Sequence, residues 1–265
     1  MHALRPLRNY GFIYCLHRGY QVAMRRPIRG HRSYVNYVAG KRGLEVGGPS
    51  AVFRAGGLIP LYDFVGSLDN CNFSSQTIWA KHESGMTFHY SENKPAGRQY
   101  LTEGGDLQDI PDETYDFILS CHMLEHSANP LRALKAWRRV LKPNGSLVLL
   151  LPNKSMTFDH RRPVTSLAHL IEDFESGTTE EDLTHLPEIL RLHDIVRDPE
   201  AGGYEKFKER SERNAEFRGM HQHVFDPPLV RAMLERADFS PELLRTAYPN
   251  HIIAVARKSV EPRAR

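Results

Sequence analysis

YDFILSCHMLEHSANPLRALKAWRRVLKPNGSLVLLLP, residues 115 to 152, holds two short apolar runs with an amphipathic stretch between them. Tyr115 to Ser120 is continuous, short and β-prone, so it reads as a buried strand. Leu131 to Leu141 then puts Leu131, Leu134, Trp137, Val140 and Leu141 on one helical face. Lys142-Pro143-Asn144-Gly145 ends that helix, with proline just beyond it and a turn dipeptide after. Ser146 to Leu151 is a second buried strand. Apolar strands alternating with helices indicate a parallel sheet covered on both faces, an α/β fold.

Upstream, Gly43 to Val46 runs into the turn Gly47-Gly48-Pro49-Ser50, and Leu68 to Phe73 is another strand candidate. Downstream, a helix is expected from Pro228 to Ala237. Strands near Glu242 to Ala247 and His251 to Arg257, joined across Tyr248-Pro249-Asn250, are expected to close the sheet as an antiparallel hairpin. Between these parts lie the 73 residues from Lys154 to Asp226, with helical patterns at Ser166 to Glu175, Leu183 to Val196 and Tyr204 to Arg218. An insert after a strand's carboxyl end is where an α/β enzyme places a substrate cap. The expected organisation is a basic extension (1–40), a cofactor-binding core (41–153), a helical, histidine-rich cap (154–226), a helix and hairpin completing the core (227–258), and a tail (259–265).

Composition narrows the function classes. The 265 residues carry 35 Lys+Arg, 32 Asp+Glu and a net charge of +3. Seven of the arginines and no acids fall in residues 1 to 40, so the remainder is net acidic. Two readings of that leader stay open. It is either a targeting or peripheral membrane-contact segment, or a basic helix folded on the body through Tyr10, Phe12, Ile13, Leu16 and Val22. No apolar run reaches the ~20 residues needed to span a bilayer. Three widely spaced cysteines (Cys15, Cys71, Cys121) form no CxxC pair, which favours a reducing, cytoplasmic setting over a disulfide framework.

Two groups of residues carry chemistry. Leu44-Glu45-Val46-Gly47-Gly48-Pro49-Ser50 is a strand entering a glycine turn, either a plain turn or one where bare backbone approaches a ligand closely and Glu45, at the strand's carboxyl end, accepts a hydrogen bond or faces a cationic ligand. The turn matches neither the GxGxxG fingerprint nor a GxxxxGK[ST] phosphate loop. In the cap, Phe158-Asp159-His160-Arg161-Arg162 sets an Asp-His pair beside two anion-binding arginines, which makes His160 the candidate base with Asp159 orienting it. Met220-His221-Gln222-His223 puts two imidazoles at i, i+2, on one face if extended. Their functional reading is acceptor contact, with a divalent metal as the lesser alternative and structural hydrogen bonding as the bland one.

Glu103-Gly104-Gly105-Asp106-Leu107, Thr114-Tyr115-Asp116-Phe117, Leu124-Glu125-His126 and Leu141-Lys142-Pro143-Asn144-Gly145, in that order, resemble the class I S-adenosylmethionine-dependent methyltransferases. The resemblance is greatest to the type 11-like branch, with EGGDL and LKPNG as modest departures, and it covers roughly residues 42 to 152 plus the terminal hairpin. It implies a Rossmann-like sheet with S-adenosyl-L-methionine as cofactor. Glu45, Gly47 and Gly48 would then line the methionine moiety and the turn beneath it. Asn72, with Asp69 as alternative, would meet the ribose; Glu103 and Gly104 would meet the adenine, with Asp106 as the choice if the register slips. Ser120, Cys121 and His122 would face the cofactor and the reacting methyl, making His122 a second candidate for catalysis. Glu125 and His126 would order the strand–helix junction.

The cap, from TFDHRRPVTSLAHLIEDF to HQHVFD, resembles bacterial methyltransferase-like proteins that often accompany glycan-assembly enzymes. That resemblance implies O-methylation of a small-molecule or saccharide hydroxyl. The rivals are a non-catalytic cofactor-binding scaffold and a nucleic-acid methyltransferase steered by the basic leader. The acidic body, and the absence of an Asn/Asp-Pro-Pro-aromatic signature, weigh against nucleic acid.

Overall fold

The computed structural model describes residues 27–75 and 87–259. Its elements in chain order are α1 (Arg32–Val38), β1 (Arg42–Val46), β2 (Ser67–Asn72), β3 (Thr87–Phe88), β4 (Gly97–Leu101), β5 (Tyr115–Cys121), α2 (Pro130–Val140) and β6 (Leu141–Pro152). There follow α3 (Leu167–Ser176), α4 (Leu186–Leu192), α5 (Tyr204–Glu212), α6 (Asn214–Phe217), α7 (Pro227–Arg236), β7 (Phe239–Ala247) and β8 (His251–Lys258). One sheet runs in the order β3-β4-β2-β1-β5-β6-β8-β7. β4, β2, β1, β5 and β6 are parallel, while β8 is antiparallel to both of its neighbours and β3 is antiparallel to β4. This is the expected α/β, Rossmann-like sheet, mostly parallel, with its antiparallel C-terminal hairpin.

Chain order reverses about β1, whose Val46 stands opposite Cys71 of β2 and Ser120 of β5. Loops leaving β1, β2 and β5 therefore meet at one edge, the switch point where such sheets hold ligands. On one face Leu131, Leu134 and Trp137 of α2 pack with Val230, Met233 and Leu234 of α7. On the other face, Tyr34 and Val38 of α1 pack with Phe53, Ile59, Leu61 and Val65.

The helices start where side chains satisfy their free amides. Asn129 Oδ1 accepts from Arg132 N at 3.0 Å ahead of Pro130, and Asp226 Oδ1 accepts from Leu229 N at 2.8 Å ahead of Pro227. Ser166 caps α3 through His169 N, and Gly177, in the left-handed region at φ 66°, ends it.

Several elements differ from expectation. α4 covers only Leu186–Leu192 of the longer helix expected there, since Pro187 fixes its start and His193 is extended. Tyr204 to Arg218 is broken at Arg213 into α5 and α6. β6 begins at Leu141, which pairs with Tyr115, and a bulge takes up Lys142 to Gly145 before Ser146 pairs with Phe117. β4 is missing from the sequence reading because GRQYL has no apolar run. It still needs Gly97, where a Cβ would lie 1.7 Å from the Leu68 carbonyl oxygen. Residues 27–40 of the expected extension belong to the body, because Tyr34 and Val38 are core residues. The rest of the leader and most of the tail lie outside the described residues. No described helix is long and apolar enough to cross a membrane.

Candidate active site

The glycine turn is stapled to β2. Gly48 N donates to Asn70 Oδ1 at 3.1 Å, and the Gly48 carbonyl accepts from Asn70 Nδ2 at 3.2 Å and Asn72 Nδ2 at 3.0 Å. Gly47 sits at φ +89°, and a Cβ there would come within 2.9 Å of Met123 Cγ. Beneath the turn, Glu45 Oε1 accepts from Ser50 N at 3.1 Å and Ser50 Oγ at 2.6 Å, and Oε2 accepts from the Tyr62 hydroxyl at 2.7 Å. Glu45 thus anchors the turn from below rather than facing a ligand.

Burial pushes the Glu45 carboxyl up to about 7, and its three donors only partly offset that. Between its ordinary 4.5 and about 7 the folded chain keeps a proton that the unfolded chain releases, so stability falls as pH rises through that window. Glu45→Gln should remove this component. Urea unfolding at pH 5 and pH 8 should show the wild type losing up to about 3 kcal/mol more than the variant. An equal loss in both would reject the burial of this carboxyl as its cause.

Above the turn opens a cavity of about 520 Å³, within the size range of small-molecule sites. The sheet edge supplies Gly47, Gly48, Asn72, Glu103, Gly104, Cys121 and His122, and the insertion supplies Phe158, Asp159, Phe207, Arg210, Arg218 and His221. Glu103 is paired with Arg218 at 2.7 Å, and Arg218 also reaches Glu180 at 3.4 Å. The Gly104 carbonyl accepts from Trp137 Nε1 at 2.7 Å, which pins this loop to α2.

At the centre stands Glu125, fully buried, with no hydrogen-bond partner on either carboxylate oxygen. His122 Nδ1 and His221 Nε2 each lie 4.0 Å from its Oε1. His221 Nδ1 donates to Asp159 Oδ2 at 2.5 Å, which leaves Nε2 as the acceptor on the Glu125 side. Arg162 Nη1 donates to the other Asp159 oxygen at 3.1 Å. Burial opposes charge at both members of the pair, but each outweighs it for the other: Asp159 is held down to about 2 and His221 is raised. Burial pushes Glu125 up to about 7, against the pull of His221. Burial, with His251 beside it, sends His122 well below the usual histidine range. His122 also sits at φ +51°, a left-handed position that is strained for a side chain of this kind and recurs at functional sites. Its Nε2 meets His251 Nδ1 at 2.9 Å.

Several expected site residues are elsewhere. His160 is not part of the cavity wall; its Nε2 pairs with Asp194 at 2.9 Å. Arg161 pairs with the same Asp194, and Arg162, 1% exposed, is a brace inside the insertion rather than an anion site. Asp69 accepts from Arg42, the Arg98 amide and the Tyr115 hydroxyl and does not line the cavity. Asp106 pairs with Arg132 away from the cavity. Ser120 is buried inside β5 and its hydroxyl has no hydrogen-bond partner. Asn72 lines the cavity, with its NH2 donating to Gly48. Cys121 lines it too, and burial pushes its thiol well above the ordinary range, so it stays protonated. His221 and His223 do not converge, each joining a different set of neighbours. Arg210 and Arg218 of the wall were not foreseen, because nothing marks them out in the charged run around them.

Residues 84–149 match the family model described as "Methyltransferase domain". The sequence has no significant match among curated proteins. Among solved structures, an S-adenosylmethionine-dependent methyltransferase from Methanosarcina mazei aligns over 86% of this chain and 98% of its own, at 15% identity and a TM-score of 0.49. One from Mesorhizobium loti aligns over 86% and 96%, at 12% identity and a TM-score of 0.47. One from Aquifex aeolicus aligns over 86% and 87%, at 14% identity and a TM-score of 0.45. The matched segment is similar to a methyltransferase domain, and S-adenosylmethionine is the cofactor that goes with such a domain. The residues present fit that group: bare backbone at Gly47, Gly48 and Gly104 forms one wall, and the orphaned carboxylate of Glu125 suits a cation.

Proposed function

We propose that this S-adenosylmethionine-dependent methyltransferase transfers its methyl group to a hydroxyl of a small molecule or saccharide, with His221 as the base. Gly47, Gly48, Asn72, Glu103 and Gly104 would hold the cofactor. When bound, the cofactor supplies an electrophilic methyl on a sulfonium. The observation that carries the reading is the Asp159–His221 pair, which aims Nε2 at the cavity beside Glu125. His221 Nε2 takes the hydroxyl proton while Asp159 fixes the tautomer and supports the imidazolium that forms. Glu125 accepts a hydrogen bond from the acceptor and orients it. Six acids against two arginines in the cavity wall favour a polyhydroxylated acceptor over a phosphate-rich one.

The test is an acceptor screen with methyl-labelled cofactor across sugars, nucleotide sugars, glycolipids and nucleic acids. Alkali-stable, oxygen-linked label in a hydroxylated small molecule or glycan is the expected result. Label confined to nucleic acid would overturn the acceptor class. Failure of the folded protein to bind the cofactor or its demethylated product, by calorimetry, would leave the scaffold reading without its ligand as well.

A further inference from the structure

Outside the cavity, three imidazoles from separate parts of the insertion face one another. His169 lies on α3, His185 precedes α4, and His223 lies in the extended segment before α7. Their ligand atoms are all within 4.8 Å of one another, and none of the three lines the cavity. Asp173, one turn beyond His169 and so on the same helix face, brings Oδ2 to 3.4 Å from His169 Nε2 and 3.7 Å from His223 Nε2. Asp173 is 93% buried, since only 7% of it is exposed, yet Oδ2 has no hydrogen-bond partner. His223 is 1% exposed and its Nδ1 is likewise without one.

We propose that His169, His185, His223 and Asp173 bind one divalent transition-metal ion of the zinc class. A tetrahedral ion with ligands at about 2.0–2.1 Å separates them by about 3.3 Å. The spacings from His169 Nε2 to His185 Nε2 and from Asp173 Oδ2 to His169 and His223 are 3.0, 3.4 and 3.7 Å. Hydrogen bonding alone accounts for less. The two Nε2 atoms of His169 and His185 share one proton, and Asp173 Oδ2 is left with no donor, whereas a cation satisfies all of them.

Three imidazoles and a carboxylate, with no thiolate, suit zinc, cobalt or nickel better than calcium or magnesium. Thr178 Oγ1 donates to Asp173 Oδ1 at 3.1 Å and orients the carboxylate from behind. His169, with 34% of its side chain exposed, gives the ion a route in. Binding costs His223 Nε2 its 3.3 Å contact with the Ala128 carbonyl. The ion would tie α3, the start of α4 and the extended segment that also carries His221 into one unit.

The test uses the full chain without a polyhistidine tag, stripped by chelator and titrated with zinc chloride, then with cobalt chloride. About one equivalent of zinc per chain is expected, with a raised thermal midpoint and intense visible cobalt bands of a tetrahedral site. His185→Ala and, as a second variant in case that one does not fold, His169→Gln should weaken zinc binding by about 100-fold or more, since losing an outer-sphere partner alone costs 10- to 100-fold. His126→Ala, in the cavity cluster, should keep the zinc. A stripped, folded wild type that takes up no zinc would overturn the proposal, as would zinc bound with unchanged affinity by both His185→Ala and His169→Gln.

Discussion

His221→Ala is expected to lower kcat by about 10²- to 10⁴-fold, the range a positioned base contributes. Affinity for S-adenosylmethionine should change little, because the glycine turn, Asn72 and the Glu103 loop hold their places without His221. Asp159→Asn should produce a smaller loss of the same kind, since the amide can present its NH2 to His221 Nδ1 and turn the imidazole to the wrong tautomer. His160→Ala, by contrast, should leave kcat within about twofold, its ring being held by Asp194 outside the cavity wall and far from any general-base role. Steady-state kinetics with the acceptor found in the label screen, together with calorimetry for the cofactor, make the comparison. A His221→Ala enzyme with wild-type kcat would move the base elsewhere, with His122 next in line.

The second large effect is on stability. Arg162→Ala should cost about 3–5 kcal/mol, the usual penalty for removing one partner of a buried ion pair. Its guanidinium donates to Asp159 Oδ1 at 3.1 Å, Glu188 Oε1 at 2.9 Å, the His221 carbonyl at 2.7 Å and the Gln222 carbonyl at 3.2 Å, and it is almost wholly out of solvent. Without it, Asp159 is left with one charged partner and two backbone carbonyls with none. Its neighbour Arg161 supplies the control. That side chain is 53% exposed and pairs with Asp194 at the surface, so Arg161→Ala should cost no more than about 1 kcal/mol. Equal midpoint shifts in urea for the two variants would refute the brace.

These two arginines also mark where sequence reading stopped. Nothing in His160-Arg161-Arg162 tells one arginine from the other; the difference comes from segments 59 and 60 residues further along the chain. The same holds for the partner of Asp159. Adjacency in sequence pairs Asp159 with His160, whereas in the fold Asp159 bonds His221, 62 residues on. Strands β1, β2, β5, β6 and β8 and helices α2, α3 and α7 were legible because their apolar periodicity and caps are local signals. The Gly47-Gly48 turn was legible because left-handed backbone there demands glycine. β4 was not, because Gly97 to Leu101 has only two adjacent buried residues, Gln99 and Tyr100, and so carries neither an apolar run nor an alternation. The chain's 14 histidines can be counted in the sequence, but the division of those in the insertion between a cavity cluster and an outer cluster depends on how the insertion folds back on itself.

Because β8 runs against β6, it is the first residues of this strand, not the last, that reach the working edge: His251 meets His122 there, and Asn250 lines the cavity. The same strand gives Ile252, Ala254 and Ala256 to one core cluster and Ile253 and Val255 to the other, so that corner of the wall and both faces of the core are closed by one element.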